Sequence, residues 1–600
     1  MKVPLCAFVI LLRKAISFKL QGLMQTTIYR LKTLLLSLSL ALVVAVSAQD
    51  KFPKNYFINP LDIPITLAGT FGEIRSNHFH TGLDMKTNSQ EGLIVHAAAD
   101  GYVSRINVSG YGYGNALYIT HPNGFVTVYG HLSKYNPAIM KYLRKVQYER
   151  QRFSVDIQLK PNEIPVKKGD TVAYSGSTGG AEGPHLHFEI RDEKSEDPLN
   201  PMLFGLTTVD HEPPVIRGIC IYPLNDSSNV NGKHTSLYIP ARRKEKGYVL
   251  EADSVIRVYG KIGVGVSSYD MGEEGTGHNG PYSQLLIDGS DTIYLSKMDE
   301  LSFGSIHYVN GHVDFRAFKK DDRTIEHSFQ TDNDALDIYK KISHRGRITC
   351  KNGQAHHMEY VIGDYNGNKT TLPFTLQSET KIGTVLHDSL HSVATIHCRK
   401  DFDYELKGML LHIPERVLFE DTRFRCTVDT TNLHVYSFVY SIGDKYTPFN
   451  NNYTISIKPS APLPDSMMRH AVIVQIDGGH VSYLGGTYEK GYMVAHPKSF
   501  GSFAIMMDHE RPLIKPMNIY KNKDMGKSSA MEFEITDNLS GIANYSAYVD
   551  GQWILMEYNP KKNMIYYTFD EHVGRGKHHL KLVVVDNVGN TNIYQTDFTR

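Results

Sequence analysis

Three short clusters place histidine and aspartate where they could do chemistry: His80-Thr-Gly-Leu-Asp84, Tyr129-Gly-His131-Leu132 and Gly183-Pro-His185-Leu-His187-Phe-Glu189. The third is the most informative. Residues i and i+2 of a strand share a face, so His185 and His187 turn two imidazoles to one pocket while Leu186 and Phe188 take the other side. Packing alone would not select that pattern. His80 and Asp84 are four apart, which on a helix would put them on one face. Gly82 and the surrounding Phe79, Leu83 and Met85 argue instead for a strand end or bulge. His78 falls on the same side of such a strand as His80 and reads as a decoy or a neighbour of the site. Imidazoles and a carboxylate gathered from several strands of one sheet suit a metal site.

The elements that must position these groups are strands. Leu93–Ala98, Tyr102–Ile106, Ala116–Thr120 and Phe125–Tyr129 alternate or run apolar, and Asp100-Gly101 and Asn123-Gly124 between them are hairpin signals. Proline and glycine punctuate residues 49–76, as short strands and turns require. After Leu132 the pattern changes. Asn136-Pro137 reads as an N-cap and first helical residue, and Ile139, Tyr142, Leu143 and Val146 follow at helical spacing. Lys141, Arg144, Lys145 and Arg150 lie opposite, a solvated face that could also hold an anionic polymer. The glycine-rich loop Ser175–Gly180 then leads into the last cluster.

Taken in order, H-x-x-x-D (80–84), D-G-x-V (100–103), G-Y-G-N (112–115), H-x-N-G (121–124), Y-x-H-L (129–132), V-K-K-G-D (166–170), S-G-S-T-G (175–179) and G-P-H-L-H-F-E (183–189) resemble the lysostaphin/LytM-type zinc metallopeptidases, a murein-hydrolase family, over residues of about 56–205. The resemblance implies a LytM-type antiparallel β peptidase domain. It makes His80, Asp84 and His187 the ligands of one catalytic Zn2+ and His131 and His185 the catalytic pair, with His185 favoured as base and His131 as stabiliser of the transition state. Two imidazoles and one carboxylate leave a position for water, the layout of a catalytic zinc, which acidifies that water and polarises the scissile carbonyl. Some relatives have lost ligands and only activate amidases; all five positions stand here. The insertion between Leu132 and Val166 departs from relatives with a short turn and should reshape the groove wall.

Beyond residue 207 the sequence is β-rich and carries no further nucleophile or metal constellation. It contains a repeat. Asp210-His-Glu-Pro-Pro-Val-Ile216 is echoed by Asp508-His-Glu-Arg-Pro-Leu-Ile514, Ile287-Asp-Gly289 by Val549-Asp-Gly551, and Asp364-Tyr-Asn-Gly-Asn368 by Asp586-Asn-Val-Gly-Asn590. The D-H-E element could be a metal site; because it recurs where each copy begins, it reads rather as a proline-stiffened start of a module. The expected architecture is mainly β: a peptidase domain at 49–206 with one helical insertion at about 135–165, immunoglobulin-like β-sandwich modules at 207–376 (with insertions) and 506–600, and between them, at 377–505, a β-rich module of no assigned family. Strands such as His434–Ser441 and Tyr453–Lys458 alternate within it.

Arg30 and Lys32 before the apolar run Leu34–Val46, with Val46-Ser-Ala48 after it, read as a signal peptide ending at residue 48, and Met24 stands where one of ordinary length would begin. The mature protein is then exported to the periplasm or cell envelope, with no permanent membrane span. Cys6 would be removed, leaving Cys220, Cys350, Cys398 and Cys426, without C-x-x-C spacing; Cys398 with Cys426 is the local disulfide pair to expect, against free buried thiols. A formal net charge of +1 speaks against a nucleic-acid surface. The expected function is hydrolysis of peptide cross-links in peptidoglycan by a zinc endopeptidase. The alternatives are a catalytically silent regulator recruiting amidases, or a peptidase for an envelope protein, with the β modules contacting an envelope partner.

Overall fold

The computed structural model describes residues 51–600 except 246, 253–254, 273–276, 380–392 and 432–433. The expected signal peptide lies outside the described residues. From Phe57 to Arg600 the chain is one contact unit, described here by itself.

In chain order the elements around the site are β1 (Leu67–Gly69), β2 (Leu83–Lys86), β3 (Ile94–His96), β4 (Gly101–Val108), β5 (Asn115–Thr120), β6 (Phe125–Gly130), β7 (Lys134–Tyr135), α1 (Pro137–Arg150), β8 (Val155–Gln158), β9 (Thr171–Tyr174) and β10 (His185–Asp192). One antiparallel sheet runs β1-β2-β10-β6-β5-β4-β8, and a small second sheet runs β3-β9-β7. β10 is central. Its Leu186, Phe188 and Ile190 are fully buried on one face, each such burial stabilising by roughly 1.5–3 kcal/mol. Its other face is the ladder His185, His187, Glu189, Arg191.

Two turn expectations part company. Asn123-Gly124 does close the β5–β6 hairpin, Gly124 supplying a φ of +84°. Asp100-Gly101 closes none, because β3 pairs with β9 and leaves β4 to the main sheet. The pair serves packing instead: a side chain at Gly101 would meet the Thr120 carbonyl at 2.3 Å, and Asp100 accepts from the Lys168 amide at 2.8 Å.

Helix α1 forms where its sequence signals put it. The Asn136 side chain caps it by accepting from the Ile139 amide, a contribution of about 1 kcal/mol. Ile139, Leu143 and Val146 are buried, with Gln147 added to that face and Tyr142 only partly covered. The opposite face is not simply solvated. Arg144 pairs with Glu557 at 2.5 Å, and Tyr148 stacks on His572 at 3.8 Å and donates to Asp570. Residues from the end of the chain thus reach Arg144 and Tyr148, while Lys141, Lys145 and Arg150 stay exposed as the sequence suggests.

Among the described residues the downstream chain is mostly strand, with short helices such as Phe315–Asp321. A strand from Val255 to Tyr269 pairs with Val215–Pro223 and Lys369–Ser378, and buries Ile262, Val264 and Val266. Two further pairs of sheets each share one core, the last uniting Met531, Phe533 and Ile535 with Leu580, Leu582 and Val584. Of His434–Ser441 only the last part is strand (Val439–Ile442), whereas Thr454–Ile457 pairs as expected. Cys398 and Cys426 are not joined; all four described cysteines are free thiols.

Candidate metal centre

Pairing brings the sequence clusters together. In the register of the main sheet His187 stands opposite Asp84 on β2 and opposite Gly130 on β6. Gly82 permits the close approach: a Cβ there would lie 2.5 Å from the Phe188 carbonyl and 3.0 Å from the His187 ring. His80 follows the short strand His78–Phe79 and precedes β2, as a strand end rather than a helix turn.

Three donors converge. His80 Nε2 lies 3.0 Å from Asp84 Oδ1 and 3.1 Å from His187 Nδ1, and His187 Nδ1 lies 2.9 Å from Asp84 Oδ1. Their outward partners fix the tautomers. His80 Nδ1 faces the Thr70 carbonyl at 2.8 Å, and His187 Nε2 faces Glu189 Oε1 at 2.8 Å. A carbonyl and a carboxylate only accept, so those nitrogens carry the hydrogens and the inward nitrogens of the neutral rings carry lone pairs. Two lone pairs and a carboxylate at about 3 Å repel one another unless a cation stands among them. The donor set fits zinc, two imidazole nitrogens and one carboxylate oxygen being a catalytic combination.

Charges respond to this crowding. Burial opposes ionisation of Asp84, but the imidazoles of His80, His185 and His187 outweigh it and hold the carboxyl well below the usual range. For His187, too, burial is overcome: without a cation in the pocket its inward nitrogen can take a proton instead, and Asp84 and Glu189 push the ring up to about 9. Glu189 is fully buried yet stays ionised, because Arg191 and His187 offset its desolvation. Arg191 Nε donates to Glu189 Oε2 at 2.6 Å; Thr81 and Tyr113 hydroxyls donate to Oε1 at 2.5 and 2.6 Å.

His185 and His131 flank the triad. Their ring centroids are 4.7 Å apart, and His185 Nε2 is 3.4 Å from Asp84 Oδ1. His185 Nδ1 donates to the Gly183 carbonyl and His131 Nδ1 to the Thr178 carbonyl, each at 2.9 Å, so both neutral rings keep Nε2 as acceptor. Burial, then the neighbouring His187 and His185, pushes His131 down to about 3. His131 sits in the left-handed region at φ +60°, a conformation costing a non-glycine residue of order 1 kcal/mol and found often at working sites. His78 takes no part; it is exposed and bonds the Ser76 carbonyl. Glu189, Arg191, Tyr113, Thr81 and Thr70 had no assigned role in the sequence; for Glu189 and Arg191 the i+2 rule applied to His187 was the available signal.

The sheet and its three-donor pocket define a mainly β metallopeptidase domain. Residues 78–149 and 154–201 match Peptidase family M23, and the chain carries a LytM-type domain of that family. Residues 393–508, within the region left without a family by the sequence, match the model of a Zu5-like domain. A DD-carboxypeptidase/endopeptidase, Mpg, of Neisseria meningitidis serogroup B is 35% identical over 22% of this chain and 23% of its own length. The peptidoglycan DD-endopeptidase ShyC of Vibrio cholerae is 29% identical over 23% and 27% respectively. The chain thus spans about a quarter of the length of these curated relatives. The catalytic domain of lysostaphin from Staphylococcus simulans aligns at 26% identity over 24% of this chain and 93% of that one, with a TM-score of 0.18.

Proposed function

We propose that the protein is an exported zinc endopeptidase that hydrolyses peptide cross-links of peptidoglycan. The observation that carries the reading is the convergence of His80, Asp84 and His187 on one point, with two further histidines beside it, each anchored through Nδ1 on a backbone carbonyl. When bound, zinc supplies Lewis acidity, polarising a carbonyl and acidifying water. His80, Asp84 and His187 hold the ion, and Glu189 orients His187. His185 takes the proton from the attacking water; Asp84, 3.4 Å from its Nε2, stabilises the imidazolium that forms. That proton then passes to the leaving amine. His131, anchored on Thr178 and kept neutral by burial, shapes the pocket beside His185.

The substrate class rests on the relatives' names and on the segment that reads as a signal peptide; no helix among the described residues is long and apolar enough to cross a membrane. Digestion of purified peptidoglycan sacculi, with fragments identified by mass spectrometry, tests the proposal. The zinc-loaded protein should release cross-link cleavage products and so identify the bond. Folded, zinc-loaded protein that releases none would overturn the substrate assignment.

A further inference from the structure

The repeated downstream segments bring together two clusters of three aspartates: Asp210, Asp270 and Asp364 in the first copy, Asp508, Asp537 and Asp586 in the second, each cluster placing carboxylate oxygens within 4.8 Å of one another. The correspondence is positional as well as chemical. In each copy the first aspartate opens the D-H-E element, the second follows directly on a strand (Val255–Tyr269 or Ala530–Thr536), and the third stands at the turn into the last strand. The turns share their bonding. Asp364 Oδ1 and Asp586 Oδ1 accept from the amides of Asn368 and Asn590 at 2.8 Å, and the side-chain nitrogens of those asparagines donate at 3.0 Å to the carbonyls of Asp210 and Asp508. The sequence echo read as a module start is therefore also a device that gathers negative charge.

A charged group this deep in protein needs every oxygen partnered, and in both clusters some oxygens are not. Asp270 is 7% exposed and Asp508 1%. Asp270 Oδ1, Asp508 Oδ1 and Asp537 Oδ1 have no hydrogen-bond partner, nor has the amide oxygen of Asn279, 5% exposed, whose backbone pairs with that of Asp270 in both directions. Burial, then the negative charges of Asp364 and Asp210, push Asp270 up to about 7. Asp210, Asp270, Asn279 and Asp364 together line a cavity of about 240 Å³, with room for an ion and its waters.

We propose that each cluster is a calcium site. The donors are all oxygen, with three carboxylates, which selects a hard divalent cation over zinc or copper. Loop carbonyls and waters can fill the larger and more flexible shell of calcium, whereas magnesium demands near-ideal octahedral geometry. The sites stand apart from the histidine centre, and the first is linked to it: Asn279 precedes Gly280, whose carbonyl accepts from Thr70 Oγ1 at 3.3 Å, and the Thr70 carbonyl anchors His80.

The test is equilibrium dialysis of radioactive calcium against the full-length mature protein, zinc-loaded and stripped of calcium, titrated to on the order of 1 mM, a concentration typical for extracellular modules. Two ions should bind per chain, one per cluster; Asp270→Asn and Asp537→Asn should each bind one, and the double variant none. Crystals of wild-type protein soaked in calcium give a readout that needs no variant, with anomalous density expected inside both triads. Absence of stoichiometric binding to the folded wild type, two ions retained by the folded double variant, or density only elsewhere would overturn the proposal.

Discussion

Glu189 Oε1 lies 2.8 Å from His187 Nε2, and the same carboxylate takes the Arg191 guanidinium on its other oxygen at 2.6 Å. The ring whose Nδ1 faces Asp84 and His80 is thereby held in one orientation by a buried ion pair. Carboxylate partners of metal-bound histidines are worth about 10–100-fold in affinity or activity. Glu189→Gln, which keeps the shape and removes the charge, should bind zinc roughly 10–100-fold more weakly in a chelator-competition titration, and turnover should fall with it. Unchanged zinc affinity would show that Glu189 serves packing alone.

Gly82→Ala should perturb the same ring from the other side. The new methyl would press on the Phe188 carbonyl and the His187 ring, at a cost of about 1–3 kcal/mol. The expected outcome is a lowered Tm with reduced zinc content, while a variant as stable and as zinc-rich as the parent would contradict the tight β2–β10 approach.

Lys561 belongs to the last module yet donates to the Ser177 carbonyl at 2.8 Å and to the Ala181 carbonyl. Between those residues sits Thr178, whose carbonyl orients His131. Freeing the loop should loosen His131 without disturbing His80, Asp84 or His187. Lys561→Ala is expected to keep full zinc and lose roughly tenfold in kcat, in line with the sensitivity of catalysis to positioning. A faster enzyme would instead mean that the module obstructs the groove.

His121 supplies a pH test. Its Nδ1 donates to the Asp100 carbonyl at 2.9 Å, and burial pushes the ring from 6.5 down to about 4. Between those values the unfolded chain binds the proton that the folded chain refuses, so stability rises with pH across the window. The contribution is complete above about 6.5 and is lost as the pH falls toward 4, roughly 3 kcal/mol at most. Chemical denaturation from pH 7 to 4 should show a shallower acid slope for His121→Gln than for wild type; equal slopes would remove His121 from the account.

Much of the domain was legible because strand alternation is local. His185 and His187 announce their shared face within three residues, and the cap at Asn136 starts α1 where the sequence puts it. What lay beyond local reach was pairing. Asp100-Gly101 has the chemistry of a hairpin turn, but nothing near it says that β3 joins a different sheet from β4. The polar partners of the site had the same problem: Tyr113, Thr178 and Thr70 meet the histidines only after the sheets assemble. On α1 the exposed basic residues were legible, but the partners of Arg144 and Tyr148 were not, because Glu557 and Asp570 lie some four hundred residues away. The aspartate triads combine both cases, since their first and last members echo one another in the sequence while Asp270 and Asp537 are recognisable only in space.

The central claim is that metal binding and proton transfer are assigned to different histidines of one pocket. Zinc content and turnover on peptidoglycan, measured side by side on folded His80→Ala and His185→Ala proteins, test it most directly. The account predicts that His80→Ala loses the metal and all activity, and that His185→Ala keeps one zinc per chain with turnover down by about 10²–10⁴-fold. Full zinc in His80→Ala, or wild-type turnover in His185→Ala, would contradict it.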